Sequence, residues 1–307
     1  MKAILIAGAT ASGKSRLAVE LAKRLDGAVI NADSMQVYRE LRVLTARPSP
    51  DDEARVPHHL YGHVSAADSY SVARWLRDLE RVLGEVRAAG QRPIVVGGTG
   101  MFFTAVTEGL ADVPGIPAAT RTRIREALKT SGAEALHAEL AVKDPAMAAR
   151  LRATDGQRIA RALEVIESTG RSLAVWQGGG TPPLIPLQDA DAFLLELDRK
   201  DLYARIDTRF VQMIGQGALD EARAFADRRF DPDVPASKAL GLRALIEAVE
   251  GRSTLDTAVA TGQIQSRHYA KRQLTWFRNR FIAWNHIITQ DLERMMEEIF
   301  SVMALKG

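Results

Sequence analysis

The sequence contains no cysteine. That excludes disulfides, thiolate zinc sites and a cysteine nucleophile, and it suits a reducing cytoplasm. It also contains no stretch of about 18 apolar residues, so nothing reads as a membrane-spanning helix. Excess charge is scarce: 41 Lys and Arg against 38 Asp and Glu leave a net +3, too little to mark nucleic-acid binding by itself. The basic residues cluster at 121–125, 158–161, 267–272 and 278–280, and the default reading of any one cluster is a solvated helix face. There is no internal repeat and no low-complexity segment. One carboxylate is missing too. Ile94-Val95-Val96 runs into Gly97-Gly98-Thr99, whereas an NTP hydrolase usually carries an acidic residue there to hold Mg²⁺ and orient water.

What is present begins at residue 8. Gly8-Ala9-Thr10-Ala11-Ser12-Gly13-Lys14-Ser15 follows the apolar run Ala3–Ala7 and precedes a helical pattern at Leu17, Leu21 and Leu25. This is a complete phosphate-binding loop in its required context of strand, turn and helix. Backbone N–H groups and the helix N-terminus face an anion, Lys14 adds a point charge, and Ser15 offers a hydroxyl to Mg²⁺. Met1–Gly8 resembles a short signal peptide, but cleavage there would destroy the loop, so a strand is expected.

At 307 residues and 46% hydrophobic content, the chain has enough material for a full core and two domains. Strand signals at 3–7, 28–33 and 93–96 alternate with helices at 15–25 and 71–89, which predicts a parallel sheet covered on both faces. From 113 to 183 the pattern turns helical, at 118–130, 133–141, 145–153 and 157–168, and closes with Gly178–Pro183. Ala192–Leu197 then returns to a strand, and 201–285 reads as largely helical. The expected architecture is an α/β core built from 1–112 and 184–307, P-loop NTPase-like, with an all-helical insertion at 113–183.

Ligands of parallel sheets sit at the carboxyl ends of the strands. One such end carries the phosphate loop, a second carries Asp33-Ser34-Met35-Gln36-Val37-Tyr38, and a third carries Thr99 after two glycines that permit close backbone approach. Asp33 is a candidate proton acceptor or water-mediated metal holder; the competing reading is a turn or helix-capping carboxylate. Gln157, Arg158 and Arg161 open a helix beside its apolar stripe of Ile159, Leu163 and Ile166. Arg267, Lys271, Thr275 and Arg278 are interleaved with Tyr269, Trp276 and Phe277, which suits RNA phosphates and equally suits core packing with snorkelling Arg. His58-His59 lacks further ligands and reads as structural or as polar loop. These residues leave three readings open: a transferase acting on RNA, a small-molecule or nucleoside kinase, and a non-catalytic RNA-binding NTPase switch.

Taken together, the segments 8–15, 33–38, Thr45-Ala46-Arg47-Pro48, Pro57-His58-His59, 96–100, Gln157–Glu164 and Tyr269–Phe277 resemble the bacterial tRNA dimethylallyltransferase (tRNA isopentenyltransferase) family. The resemblance runs in order over nearly the whole chain. It implies dimethylallyl diphosphate as donor and, as acceptor, N6 of the adenosine 3′ to the anticodon of a tRNA. Gly8 to Ser15 would hold the diphosphate and are the family's nucleotide-binding loop, with Mg²⁺ on Ser15 and Lys14 stabilising the leaving group. Asp33 matches the general base and Thr99 a substrate contact at the reacting centre. Asp33, Ser34, Met35, Gln36 and Thr99 match positions that meet the target nucleotide, Gln36 reading the flipped-out base. Arg121, Gln157, Arg158, Ile159, Ala160 and Arg161 match tRNA-contacting positions, and Arg205 and Arg209 are candidates for diphosphate contact. A cytoplasmic monomer that binds no membrane is expected. The sequence departs from the family at Leu242, where Tyr is common, and at Arg47, where Lys is common. With no cysteine it has no counterpart of the zinc-finger extension of eukaryotic relatives.

Overall fold

The computed structural model describes residues 1–305. Ala3-Ile4-Leu5-Ile6-Ala7-Gly8 forms strand β1 (Ala3–Gly8), buried at every position, as an interior strand covered on both faces requires. It joins β2 (Gly27–Asn31), β3 (His58–His59), β4 (Arg92–Gly97), β5 (Ala190–Leu195) and β6 (Asn285–Ile287) in the order β3-β2-β4-β1-β5-β6. All pairings are parallel. The helices are α1 (Lys14–Leu25), α2 (Pro50–Arg55), α3 (Val72–Ala88), α4 (Gly100–Glu108), α5 (Ala118–Lys143), α6 (Pro145–Ala148), α7 (Gly156–Thr169), α8 (Leu173–Gln177), α9 (Arg199–Gly215), α10 (Ala218–Asp227), α11 (Leu242–Val249), α12 (Leu255–Arg280) and α13 (Leu292–Leu305). None of the described helices is long and apolar enough to cross a membrane.

The period-2 alternation of β1 divides the core. Ala3, Leu5 and Ala7 face α3, α4 and the C-terminal end of α12, where Trp75, Phe103 and Phe277 pack. Ile4 and Ile6 face α1 and α13 through Leu17, Leu21, Met296 and Ile299. A third cluster joins the segment after β2 to α9, α10 and α11 through Val37, Tyr38, Leu41, Phe210 and Leu245. Burying each such side chain contributes about 1.5–3 kcal/mol.

Four local expectations are corrected. The second strand ends at Asn31 rather than at Asp33. The Asn31 side chain accepts from the Asp33 amide (2.8 Å) and Asp33 Oδ1 accepts from the Met35 amide (2.9 Å); these side-chain bonds replace the ladder and turn the chain. His58-His59 is a short edge strand on β2 rather than a loop. The helix expected at 145–153 stops at Ala148, where the His137 ring meets the carbonyls of Ala148 (3.0 Å) and Leu151 (3.2 Å). After 280 the chain adds β6 and α13, which the sequence pattern did not reveal.

The chain divides into two compact units, one built from Met1–Thr107 and the segment beginning at Leu184, the other from Glu108–Pro183. The second unit is all-helical apart from one isolated bridge between Ala111 and Gly180. Helix α5 kinks at Gly132, whose φ of 81° breaks the helical run. Ile124, Leu136, Leu140, Ile159 and Leu163 form the unit's core.

Candidate active site

The carboxyl ends of β2, β4 and β1 are adjacent in the sheet, so their three loops meet. The loop after β1 wraps an anion cradle. Gly13 closes it with φ 89° as the N-cap of α1, a conformation glycine adopts at little cost. Lys14 Nζ folds back and donates to the Ala9 carbonyl at 3.1 Å. Burial drives the Lys14 pKa down from 10.5 to about 8; the Asp33 carboxylate opposes that fall and the Arg209 guanidinium adds to it. The Ser12 hydroxyl is buried without a partner. A cavity of about 560 Å³ lies over the loop, lined by Ser12, Lys14, Ser15, Arg16, Arg205 and Arg209 among others. The two arginines come from α9. Arg209 donates to the Thr10 hydroxyl, while Arg205 is exposed and donates to Gln290 Oε1 at 3.1 Å.

The loops after β2 and β4 are tied to each other. Thr99 Oγ1 accepts from the Ser34 amide at 2.9 Å and lies 3.3 Å from the Ser34 hydroxyl. The Thr99 amide donates to the Ala32 carbonyl at 3.2 Å. Asp33 keeps Oδ1 on the Met35 amide, which leaves Oδ2 as the oxygen not engaged by that bond. A second cavity, about 50 Å³, carries Asp33, Thr10 and Arg209 together with an apolar wall that includes Met35, Leu44, Ile206, Phe210 and Met213. Arg209 therefore lines both cavities. Gln36 spends both N–H groups on the carbonyls of Thr45 (2.9 Å) and Ala46 (2.8 Å), so the group it retains for a ligand is its acceptor oxygen.

Two residues of α12, Tyr269 and Gln273, complete the site. Gln273 is buried; its Oε1 accepts from the Thr10 amide (2.9 Å) and its Nε2 donates to the Gly98 carbonyl (2.8 Å). One side chain thus fastens the phosphate loop to the loop after β4, and a Cβ at Gly98 would collide with its amide. Tyr269 lines the cavity that holds Asp33, and burial followed by the Asp33 charge raises its pKa. The signal for both was their period: Ser266, Tyr269, Gln273 and Phe277 share one helix face, and a polar residue in a buried stripe needs a partner.

Several site expectations need correction. The basic face of α12 is partly spent within the protein, since Arg267 donates to Asp207 at 2.5 Å and Arg272 lies over the Tyr269 ring at 5.5 Å. Leu242 is a core residue, 1% exposed, so its departure from Tyr is a matter of packing. Arg47 donates to the Tyr38 carbonyl at 3.3 Å and lines a separate 170 Å³ cavity with Ser15, His58 and Tyr61. In the helical unit, Arg121, Gln157 and Arg158 are exposed, and Arg161 lies 3.6 Å from the buried Glu164. Ile159 and Ala160 are buried in the unit's core, at 0% and 5% exposure. Their side chains cannot meet RNA, because the apolar stripe they belong to holds α7 against α5.

A sheet with a phosphate loop at the end of β1 and a carboxylate just past the end of β2 suits transfer from a phosphorylated donor. Two family models match the chain: IPP transferase over residues 36–280 and Isopentenyl transferase over residues 1–58. The chain belongs to the IPP transferase family. It is 54% identical over 294 residues to the tRNA dimethylallyltransferase of Nitrobacter hamburgensis, covering 96% of this chain and 93% of that protein. To the tRNA dimethylallyltransferase of Bradyrhizobium sp. BTAi1 it is 56% identical over 279 residues, covering 91% and 92%. Among solved structures it resembles the tRNA isopentenylpyrophosphate transferase of Bacillus halodurans (TM-score 0.70, 33% identity, 99% of this chain and 96% of that one). It also resembles a eukaryotic dimethylallyltransferase solved acting on tRNA (TM-score 0.81, 25% identity, 95% and 75%). The fold is accordingly P-loop NTPase-like, and family membership sets aside the kinase and switch readings.

Proposed function

We propose that this protein transfers the dimethylallyl group of dimethylallyl diphosphate to N6 of the adenosine 3′ to the anticodon in tRNA, releasing diphosphate. The observation that carries the reading is that Arg209 lines both the anion cradle, together with Lys14, and the apolar pocket that holds Asp33. In the reaction the N6 lone pair forms a bond to C1 of the prenyl group while the C1–O bond breaks and its electron pair leaves on the diphosphate. The N6 proton passes to Asp33, whose Oδ1 is anchored so that Oδ2 faces the acceptor. Lys14 and Arg209 take up the charge that grows on the leaving oxygens. Thr99, held by Ser34, positions the acceptor side, and the Gln36 oxygen accepts from the base.

Mg²⁺ fits this loop in a limited way. The described residues hold no group of three or more His, Asp or Glu able to bind a metal, whereas Ser15 lines the cradle with its hydroxyl. An ion there would rest on Ser15 and otherwise on diphosphate and water oxygens, and would supply charge neutralisation of the leaving group. Arg121, Gln157, Arg158 and Arg161 are assigned to tRNA backbone contacts. Such a substrate implies a cytoplasmic setting, and a donor site made wholly from one chain suits a monomer. The test is to incubate the protein with dimethylallyl diphosphate, Mg²⁺ and tRNA and to analyse the digested nucleosides by mass. Adenosine heavier by one dimethylallyl group is expected; unmodified adenosine refutes the reading.

A further inference from the structure

We propose that Phe210 sets the length of the prenyl chain the enzyme accepts. The inference rests on the reading above and adds a specificity determinant to it. The cavity beside Asp33 has a polar end at Thr10 and Arg209 and an apolar wall from Met35, Leu44, Ile206, Phe210 and Met213. Because Arg209 also lines the diphosphate cradle, a donor seated in the cradle directs its hydrocarbon tail along this wall. The cavity is small, about 50 Å³, and Phe210 stands in the wall along which a longer tail would have to extend.

The Phe210 ring is the part of this wall that cannot retreat. It is 3% exposed and seated in a notch between two glycines. A Cβ at Gly241 would lie 2.5 Å from the ring, and a Cβ at Gly262 would collide with it. Gly241 takes a φ of 78° as the N-cap of α11, and Gly262 is a buried position of α12. Both neighbours therefore contribute backbone rather than flexible side chain, and the ring belongs to a buried cluster that also holds Leu242, Leu245 and Ala258. Close-packed interiors accommodate added volume only at substantial cost. A ten-carbon donor would have to displace the ring, whereas removing its six carbons opens space of about one five-carbon unit next to the cavity.

The experiment compares kcat/KM for five-, ten- and fifteen-carbon allylic diphosphates, with tRNA as acceptor and transfer read by nucleoside mass, in the wild type, Phe210→Ala and Phe210→Leu. The wild type is expected to use the five-carbon donor and to discriminate against the ten-carbon donor. Phe210→Ala is expected to raise the ten-to-five-carbon ratio by about tenfold or more, the scale on which apolar pockets discriminate chain length. Phe210→Leu, which keeps the core better filled, is expected to raise it by a smaller factor, and it decides the matter if the alanine variant does not fold. The fifteen-carbon donor remains excluded in every form. A folded variant that uses the five-carbon donor with an unchanged ratio overturns the assignment, as does a wild type that uses both donors equally. A wild type that transfers nothing from the five-carbon donor overturns the functional reading itself, and this inference with it.

Discussion

The charge on Lys14 is held at the expense of stability, and Lys14→Met exposes that cost. Burial lowers the Lys14 pKa from 10.5 to about 8, equivalent to about 3 kcal/mol at about 1.4 kcal/mol per pKa unit. Solvent reaches part of the side chain, and screening brings the penalty to about 1–2 kcal/mol. The bond from Nζ to the Ala9 carbonyl returns about 0.5–1.5 kcal/mol. At pH 7 Lys14→Met is therefore expected to be no less stable than the wild type, although most substitutions destabilise. The pH dependence is the sharper signature. The unfolded chain keeps its Lys14 proton up to about pH 10.5 and the folded chain only to about 8. Between these values the unfolded state binds more protons, so wild-type stability rises with pH across that window. Above about pH 10 the buried phenols of Tyr61 and Tyr269, whose pKa values are raised by burial first, push stability down in both proteins. Denaturant unfolding at pH 7 and pH 9.5 should thus show the wild type gaining about 1–2 kcal/mol on the variant. Diphosphate should stabilise only the wild type, by about 2.7 kcal/mol at a hundredfold excess over Kd. A stability difference that does not change with pH would refute the argument.

Asp33→Asn keeps the oxygen that accepts from the Met35 amide but removes the proton acceptor. Single-turnover transfer should fall by about 10²- to 10⁴-fold while tRNA affinity by filter binding stays nearly constant; a fall confined to affinity would contradict its assignment. Gln273→Met keeps bulk and loses both clamps on Thr10 and Gly98. It should lower stability by about 1–3 kcal/mol in thermal unfolding, because a buried amide N–H and a carbonyl lose their partners, and it should raise the KM for the donor. Arg121→Gln combined with Arg158→Gln should flatten the log Kd against log salt slope for tRNA by about 0.7 per lost phosphate contact. An unchanged slope would remove these exposed arginines from the RNA interface.

The parts of the site that follow the chain locally were legible in the sequence. A strand, a glycine-rich turn and a helix in succession leave few alternatives for residues 3–25, and the apolar runs at 93–96 and 192–195 could only be buried strands. Asp33 was found because it closes a strand signal, although the side-chain bonds of Asn31 and Asp33 end that strand two residues sooner. The contributions of α12 were illegible for the opposite reason. Gln273 meets Thr10 across 263 residues, and no local pattern encodes that pairing. Arg209 is similar: its charge is visible in sequence, but its place between two cavities depends on the packing of α9 beside the phosphate loop.

The same geometry bears on why a loop of this kind would serve group transfer rather than hydrolysis. NTP hydrolases usually carry a carboxylate at this strand end to hold Mg²⁺ and orient water, and the end of β4 supplies glycine and Thr99 instead. The site's carboxylate stands on the neighbouring strand end with one oxygen anchored, and the apolar wall of Met35, Leu44, Ile206 and Phe210 stands beside it. Water has few polar partners along that wall, whereas a prenyl group has a continuous apolar contact. An allylic carbon placed between Asp33 and Arg209 meets a proton acceptor on one side and cationic stabilisation of its leaving group on the other. On the proposed reading the loop supplies affinity for diphosphate in either chemistry, and side chains from the segment after β2, from α9 and from α12 direct the bond breaking to carbon.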